Sequence, residues 1–276
     1  MILETANIIT LISSDYLSQL GLKAVKLPVT AVLNFGGDRI TEFAKATEMH
    51  LGSVKFGNGS ELLVVPAEKF GRSTATPPIV GEFGLNTFAS VDFELDFAQH
   101  KLNLYSQDHC PGAVVYWTDN FSSAKIERGP MGNFYFPIEL EGKKIQTTLS
   151  TTSNENSLGT DVTRSLYSFD EKSPDIETNT NAAGDKRSFY RAITLTGNGL
   201  KISNARIGLR TSKNKDCILV APFRSSPAVY SGCMGGEAPL RLGMNVASHL
   251  HLYFATKEHV LYFSDANASK QAAPSP

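Results

Sequence analysis

Two histidine motifs are the most conspicuous candidates for chemistry in this 276-residue sequence. His249-Leu250-His251 places two imidazoles on one face of a predicted strand, a spacing that two zinc ligands can use. Because no HExxH motif or Cys/His cluster supplies further ligands, we predict solvent-facing histidines, with no metal and no cofactor. His109-Cys110 resembles a nucleophile pair, but adjacent strand residues point to opposite faces, so we predict a structural or linker role.

Other candidate sites lack the context that their chemistry needs. Ser13-Ser14 and Ser225-Ser226 have no GxSxG elbow, which argues against a serine hydrolase. Gly232 to Gly236 lacks the Lys-Ser/Thr of a phosphate-binding loop. Cys217 and Cys233 form one disulfide in an oxidising compartment or remain free buried thiols, and the sequence leaves both open.

Composition excludes some partners and favours a β-rich fold. Lys plus Arg number 26 and Asp plus Glu 27, so no basic excess is present to bind nucleic acid. The longest apolar runs fall far short of the ~20 residues of a membrane span. Charged residues make up only 19%, which favours β-rich folds over helical bundles. At roughly 150 residues per domain, the length predicts two domains.

Alternating apolar and polar residues predict strands along most of the chain, whereas helical periodicity is confined to Ser14 to Leu22. The predicted strands are Ala31 to Phe35, Glu61 to Val65, Val91 to Phe97, Lys101 to Tyr105, Phe134 to Leu140, Arg191 to Leu195 and His249 to Phe254. Glycine-rich turns separate them, including Gly36-Gly37 and Gly197-Asn198-Gly199. The pattern is all-β, with one or two short helices per half.

Two segments recur in the same order in both halves of the sequence. Leu3 to Leu22 aligns with Leu149 to Ser168 at an offset of 146 residues, and Phe83 to Asn86 matches Leu242 to Asn245. We therefore predict two copies of one lobe, at residues 1–107 and 133–264. Residues 108–132 form the predicted linker, and residues 265–276 form a predicted disordered tail.

A lobe that opens with an acid and a threonine, passes through a short helix and closes with hydrophobic-hydrophobic-Gly resembles an aspartic protease lobe. The sequence is similar to the two-lobed, bacterial retropepsin-like aspartyl protease family from Leu3 to Phe263. This resemblance implies an all-β, two-lobed, aspartic-protease-like β-barrel fold with pseudo-twofold symmetry. It also implies an aspartic-type endopeptidase activity and a peptide or protein ligand.

In that family each lobe contributes one aspartate, and the two carboxylates share a proton. Glu4 and Ser150 stand at the two aspartate positions, followed by the supporting residues Thr5 and Ala6 in one lobe and Thr151 and Thr152 in the other. Both threonines are retained and both aspartates are replaced. A glutamate side chain is one methylene longer than that of an aspartate. Displacement of a catalytic group by about 1 Å can cost ~100-fold in rate.

The resemblance therefore implies a pseudoprotease that keeps a peptide-binding cleft. Two alternatives remain open: an active endopeptidase that pairs Glu4 with another acid, such as Glu155 or Asp161, and a β-barrel interaction domain without a cleft function. Peptide binding would use hairpin flaps. The candidate flap tips are Phe35, Gly36 and Gly37 in the first lobe and Ala183 and Gly184 in the second.

The start of the sequence bears on compartment and on the first lobe. Met1 to Glu4 has no signal-peptide pattern, and localisation is left open, with a periplasmic or secreted protein expected if a leading segment is missing. Family lobes have strands before the first motif, so we expect lobe one to lack at least one hairpin. Such a sheet would be completed by a missing segment or by a partner.

Overall fold

Strands dominate the structure, as the alternating sequence pattern predicts. The computed structural model describes residues 1–27, 33–35, 38–56, 60–70, 76–129, 133–167, 173–180, 186–210 and 238–269. Within them the helical elements are short: 3-10 turns at Ser14–Tyr16, Ala67–Phe70 and Leu85–Phe88, a π turn at Thr163–Tyr167, and the helices α1 (Thr160–Val162) and α2 (Met244–Ala247). The predicted all-β fold class with few short helices is confirmed.

The contacts within the chain define two compact units. Among the described residues, unit 1 contains Met1–Thr87 and unit 2 contains those from Phe88 onward. Residues 88–107, which are predicted from the sequence to belong to the first lobe, make most of their contacts within unit 2. The predicted boundaries of lobes, linker and tail stay predictions.

Unit 1 combines one sheet with two separate hairpins. Its strands are β1 (Ile2–Leu3), β2 (Leu11–Ser13), β3 (Ala24–Lys26), β4 (Leu33–Phe35), β5 (Asp38–Ile40), β6 (Glu42–Ala46), β7 (Met49–Leu51), β8 (Val54–Phe56), β9 (Ser60–Val65) and β10 (Gly81–Phe83). The sheet order is β1-β10-β2-β9-β6-β3, and β4/β5 and β7/β8 form the hairpins. Neighbouring residues such as Leu11 and Ile12 belong to different core clusters, so the sheet is buried on both faces.

Unit 2 contains a barrel and a second sheet. Its strands are β11 (Asp92–Asp96), β12 (Lys101–Tyr105), β13 (Ser122–Lys125), β14 (Glu127–Arg128), β15 (Phe134–Leu140), β16 (Lys143–Leu149), β17 (Asn156–Gly159), β18 (Ile176–Thr180), β19 (Lys186–Gly197), β20 (Leu200–Arg210), β21 (Leu240–Leu242), β22 (Leu250–Ala255) and β23 (Val260–Asp265). One sheet has the order β14-β15-β16-β21-β17-β20-β19-β18, and pairing of β15 with β19 closes a six-stranded barrel. The other sheet has the order β12-β11-β22-β23-β13.

The strand order of the unit 1 sheet recurs in unit 2. β1-β10-β2-β9-β6-β3 corresponds to β16-β21-β17-β20-β19-β18, with parallel and antiparallel pairs in the same places. Glu82 lies opposite Leu11 and Arg241 lies opposite Ser157, so the two repeat motifs keep constant offsets of 146 and 159 residues. β14 and β15 have no counterpart in the described residues of unit 1.

The five-stranded sheet carries the same repeat. β11 and β12 form one hairpin, β22 and β23 form the other, and β11 pairs with β22 in antiparallel orientation. His100 and His259, which are 159 residues apart, both take a positive φ in the two hairpin turns. Glu94 lies directly opposite Tyr253, its own counterpart at the same offset. The two hairpins are therefore related by a local twofold axis at this pair.

The predicted helix at Ser14 to Leu22 is wrong. Only Ser14–Tyr16 is helical, as a 3-10 turn that Ser13 caps, and the chain turns out of it at Gly21 with φ 66°. Leu17 packs against the core whereas Leu20 is 50% exposed, so these two leucines, which are three residues apart, do not share a buried helical face. The predicted turn at Gly197-Asn198-Gly199 is confirmed, since Asn198 and Gly199 with φ 49° and 86° connect β19 to β20.

Candidate functional site

Glu4 lies at the end of β1, in the first turn of unit 1. Its backbone N–H donates to the carbonyl of Phe83, the last residue of the parallel neighbour β10, at 2.9 Å. The side chain is only 6% exposed, and its Oε1 atom accepts a hydrogen bond from the backbone N–H of Ala6 at 2.6 Å. A buried carboxylate thus caps the turn that follows the strand.

Ser150 occupies the corresponding place in unit 2. It follows β16, and its backbone N–H donates to the carbonyl of Leu242, the last residue of the parallel neighbour β21, at 2.8 Å. The side chain is fully buried, and its Oγ atom accepts a hydrogen bond from the backbone N–H of Ser153 at 3.2 Å. The hydroxyl caps its turn as the carboxylate of Glu4 does in unit 1.

A glycine supports each of these turns from behind. A Cβ atom at Gly84 would lie 2.6 Å from the backbone carbons of Ile8 and Ile9, and one at Gly243 would lie 2.6 Å from the carbonyl oxygen of Glu155. Contacts this short are sterically forbidden for a side chain. The two hydrophobic-hydrophobic-Gly motifs are therefore places where two backbone segments come too close for any residue but glycine.

Two polar residues that the sequence analysis missed complete these turns. Thr10 Oγ1 accepts the backbone N–H of Gly84 at 3.2 Å, and Asn156 Oδ1 accepts that of Gly243 at 3.0 Å. Both side chains are about 1% exposed, and the two positions are 146 residues apart. The alignment of the repeats did not single out these two residues, because threonine and asparagine are not identical. The repeat offset of 146 residues does relate their positions.

The supporting residues differ in exposure between the units. Thr5 is buried and Ala6 is half-buried, whereas Thr151 is half-buried and Thr152 is exposed. Glu155, a suggested substitute acid, is exposed and lies 3.7 Å from Arg206. Of the two residues expected at the aspartate positions, only Glu4 carries an acid, since a serine hydroxyl does not ionise near neutral pH. The assignment of Glu4 and Ser150 to those positions stays a prediction.

The described residues that flank the candidate flap tips belong to two hairpins. Phe35 ends β4 and pairs with Asp38 of β5, while Gly36 and Gly37 lie outside the described residues. Ala183 and Gly184 also lie outside them, between Thr180 and Lys186, which pair at the end of the β18/β19 hairpin. A role of either hairpin in binding stays a prediction.

The prediction of solvent-facing histidines is wrong for His251. Its ring is buried, its Nε2 atom lies 2.5 Å from Oε1 of Glu94, and it stacks on Trp117 at 4.0 Å between ring centroids. His249 is exposed. Because the partner Glu94 is 157 residues away in the sequence, no local pattern reveals this contact.

Glu94 is the centre of a buried polar network. Besides His251, its carboxylate accepts hydrogen bonds from Asn103 at 2.8 Å, from Tyr105 at 2.5 Å and from Tyr116 at 2.9 Å. Burial raises the pKa of Glu94, but these donors, His251 foremost, outweigh it and lower the pKa to about 2. A carboxylate with four donors remains ionised, and the network ties three strands and the 106–121 segment together.

His109 also has a structural environment that the sequence did not reveal. Its Nε2 atom lies 2.6 Å from Oδ2 of the fully buried Asp92. This hydrogen bond raises the pKa of His109 against the opposing effect of burial. Cys110 is exposed, with a free thiol. The predicted structural role of His109-Cys110 agrees with this arrangement.

Several predicted features lie outside the described residues: Ser225-Ser226, Gly232 to Gly236, Cys217, Cys233 and residues 270–276. Within the described ranges, no group of three or more His, Cys, Asp or Glu side chains is arranged to hold a metal ion. None of the helices in this part of the chain has the length and hydrophobicity that crossing a membrane requires.

Comparison with known proteins finds solved structures that have low similarity to this chain. No known protein family and no curated protein matches the sequence. The crystal structure of a retropepsin-like aspartic protease from Rickettsia conorii is similar over 54% of this chain and 95% of that chain, with 13% identity and a TM-score of 0.34. Basic 7S globulin from soybean is similar over 97% of this chain and 88% of that chain, with 10% identity and a TM-score of 0.47.

Proposed function

We propose that the chain is a two-lobed aspartic-protease-like pseudoprotease that binds extended peptides without hydrolysing them efficiently. The observation that carries this proposal is the equivalence of Glu4 and Ser150. Each follows the strand that starts its repeat, each donates its backbone N–H to the parallel neighbouring strand, and each side chain caps the turn that follows. In the proposed assignment, these two equivalent positions are the ones at which an aspartic protease carries its acids.

The chemistry of these two side chains argues against efficient hydrolysis. An aspartic protease needs two carboxylates that share one proton, so that one activates water while the other donates a hydrogen bond to the scissile carbonyl. Glu4 can supply one carboxylate, but the hydroxyl of Ser150 cannot share a proton with it in this way. We therefore assign Glu4 and Ser150, with Thr5, Ala6, Thr151 and Thr152 around them, to the floor of a cleft without a working acid pair.

Peptide binding does not require the acid pair. In the proposed arrangement, the hairpins that carry Phe35 to Gly37 and Ala183-Gly184 cover an extended peptide and bind its main chain as an added strand. The lobes then correspond to residues 1–107 and 133–264.

The decisive experiment measures cleavage and binding on the same proteins. The wild type, Glu4→Gln and the double variant Glu4→Asp/Ser150→Asp are incubated with a broad peptide library from about pH 3 to about pH 7, the range in which carboxylates change protonation. Binding of a transition-state-mimic aspartic protease inhibitor is measured by calorimetry. Glu155→Gln, which changes an exposed acid near the second turn, tests the alternative second acid. Glu48→Gln, at an exposed acid paired with His50 and Lys55, serves as the matched control.

We expect inhibitor binding and no cleavage by the wild type, and detectable cleavage by the double variant. Cleavage by the wild type that Glu4→Gln abolishes would establish the active endopeptidase instead. If Glu155→Gln abolishes such cleavage as well, Glu155 is the second acid. Absence of both binding and cleavage from a folded wild type would favour the β-barrel interaction domain.

A further inference from the structure

A segment without helix or strand crosses one face of the five-stranded sheet in unit 2. Residues 106–121, named here the strap, connect β12 to β13. Val114 of the strap packs in a buried cluster with Tyr253, Ala255 and Tyr262 of the sheet. Polar contacts at two further places hold the strap to the sheet. The two places differ in whether their charge changes with pH.

The C-terminal half of the strap is fastened to a carboxylate that remains ionised. Tyr116 donates to both oxygens of Glu94 at 2.9 Å. Trp117 stacks on His251 and donates from Nε1 to Ser264 Oγ at 2.8 Å. Because the hydrogen bonds described above lower the pKa of Glu94 to about 2, its carboxylate remains ionised as the acceptor for Tyr116 between mildly acidic and neutral pH.

The N-terminal half is fastened through His109, whose ring nitrogens both face hydrogen-bond acceptors. Nε2 lies 2.6 Å from Asp92 Oδ2 on β11. Nδ1 lies 3.3 Å from Glu258 Oε1, in the turn between β22 and β23, and 3.4 Å from the carbonyl of Cys110. A neutral imidazole has one N–H, whereas this site accepts two. The geometry therefore suits the imidazolium cation.

The other charged and titratable groups around His109 do not take its place as the cation between Asp92 and Glu258. Those on the elements packed against it are Tyr253 on β22, Lys257 and His259 in the following turn, Tyr262 on β23, and Asp108 and Cys110 on the strap. Burial foremost raises the pKa values of Tyr253 and Tyr262, so both stay neutral. Lys257 Nζ points to the carbonyl of Gln107 at 3.5 Å. Asp92 and Glu258 are therefore the carboxylates that contact the ring directly.

Loss of the His109 proton would weaken one specific contact. Asp92 Oδ1 is already held by the backbone N–H and the hydroxyl of Thr256 at 2.8 and 2.9 Å, so Oδ2 keeps the remaining N–H of the ring. Nδ1 would then present a lone pair to the Glu258 carboxylate. Glu258 also accepts the backbone N–H of Gly112 at 3.2 Å and the hydroxyl of Tyr262 at 2.9 Å, so repulsion there disturbs the strap itself.

We propose that residues 106–121 act as a pH-responsive strap whose N-terminal half is fastened to the sheet while His109 is protonated and loosens when His109 becomes neutral. The hydrogen bond to Asp92 raises the pKa of His109 in the folded protein. A group with a raised pKa contributes its full stabilisation below its unfolded pKa and loses it as pH rises through the folded value. The strap is therefore held to the sheet in mildly acidic solution. It loosens as the pH rises through the folded-state pKa of His109.

Hydrogen exchange of the full chain tests this proposal. Protection of the amides of residues 107–115 is measured from about pH 5 to about pH 9, corrected for the intrinsic pH dependence of exchange, with the amides of β11 and β22 as internal references. In the wild type we expect strap protection to fall at least about threefold over this range. His109→Gln, which carries no charge, should show no such fall, and His249→Gln, at an exposed histidine, should behave like the wild type.

The proposal is overturned if strap protection in the wild type stays constant over this pH range. It is also overturned if strap protection in His109→Gln changes with pH as in the wild type. If His109→Gln does not fold, Glu258→Gln provides the second variant. Removing this carboxylate should move the midpoint of the transition to lower pH, because it removes one of the two charges that favour the cation. An unmoved midpoint would count against the role of the Glu258 contact.

Discussion

Gly84 and Gly243 donate the same backbone hydrogen bond in the two units of the chain, to Thr10 in one and to Asn156 in the other. Both acceptors are buried, and both glycines lie against backbone that leaves no room for a Cβ atom. A hydroxyl and an amide oxygen thus perform one task at equivalent positions. What the repeat preserves here is an acceptor at a fixed place, not a residue type.

Thr10→Val should destabilise unit 1 by about 1–3 kcal/mol, because it leaves the buried N–H of Gly84 without its acceptor. The hydroxyl also bonds to Asn86 and Thr87 at 2.7 Å, which places the expected loss toward the upper end. Thr10→Ser keeps the hydroxyl and loses one methyl group, about 0.8 kcal/mol. Denaturant unfolding of both variants measures the difference, and equal losses would contradict this role.

Gly243→Ala should destabilise unit 2 by about 1–3 kcal/mol, the usual cost of forcing atoms into a packed site. The new methyl group would meet the carbonyl oxygen of Glu155 at 2.6 Å. Gly208→Ala is the matched control in the same unit, since its Cβ atom would lie 3.5 Å from the nearest atom, the carbonyl of Asn156. Thermal unfolding of the two variants should separate them, and similar melting temperatures would show that the turn can widen.

Glu94→Gln should cost several kcal/mol at neutral pH, because each buried donor that loses its acceptor costs about 1–3 kcal/mol. The amide oxygen can accept only some of the hydrogen bonds that the carboxylate takes from Asn103, Tyr105, Tyr116 and His251, and its NH2 group would face the remaining donors. Glu177→Gln is the control, because its pair with Arg191 is half exposed and is expected to contribute under about 1 kcal/mol. Chemical denaturation followed by circular dichroism measures both losses.

The acid stability of the protein should also depend on Glu94. Its pKa is lowered from 4.5 to about 2, so its contribution is present above pH 4.5 and is lost as pH falls toward 2. The shift corresponds to roughly 3 kcal/mol. The fluorescence of Trp117, the single tryptophan, reports unfolding near this site. If the wild type and Glu94→Gln lose stability in parallel between pH 4.5 and about 2, Glu94 is not the source of the acid-dependent stability.

The sequence predicted those elements whose determinants are local. Lys101–Tyr105 and Phe134–Leu140 were predicted with their observed bounds, because alternation and flanking turns are properties of neighbouring residues. The leucines of Ser14 to Leu22 suggested a helix, but Leu20 has no buried partner, so helical spacing alone was not sufficient.

The polar networks could not be predicted in the same way. His251 and Glu94 meet across paired strands, and His109 meets Asp92 and Glu258 from a segment without regular structure. These contacts depend on strand register and on the path of the strap, neither of which is encoded in residue spacing. Glu4 and Ser150, which the sequence repeat aligns, do follow equivalent strands, whereas the equivalent buried acceptors Thr10 and Asn156 were found only from the structure.

The pairing of Glu94 with Tyr253 makes the local twofold arrangement of the two hairpins chemically asymmetric. In a symmetric assembly of two identical copies, the residue at this position would lie opposite itself, and two glutamates would hold their Cβ atoms only about 5 Å apart. Two buried carboxylates at that distance repel each other strongly. In this chain the residue opposite Glu94 is Tyr253, so one buried carboxylate with four donors lies at the local axis without a second charge beside it.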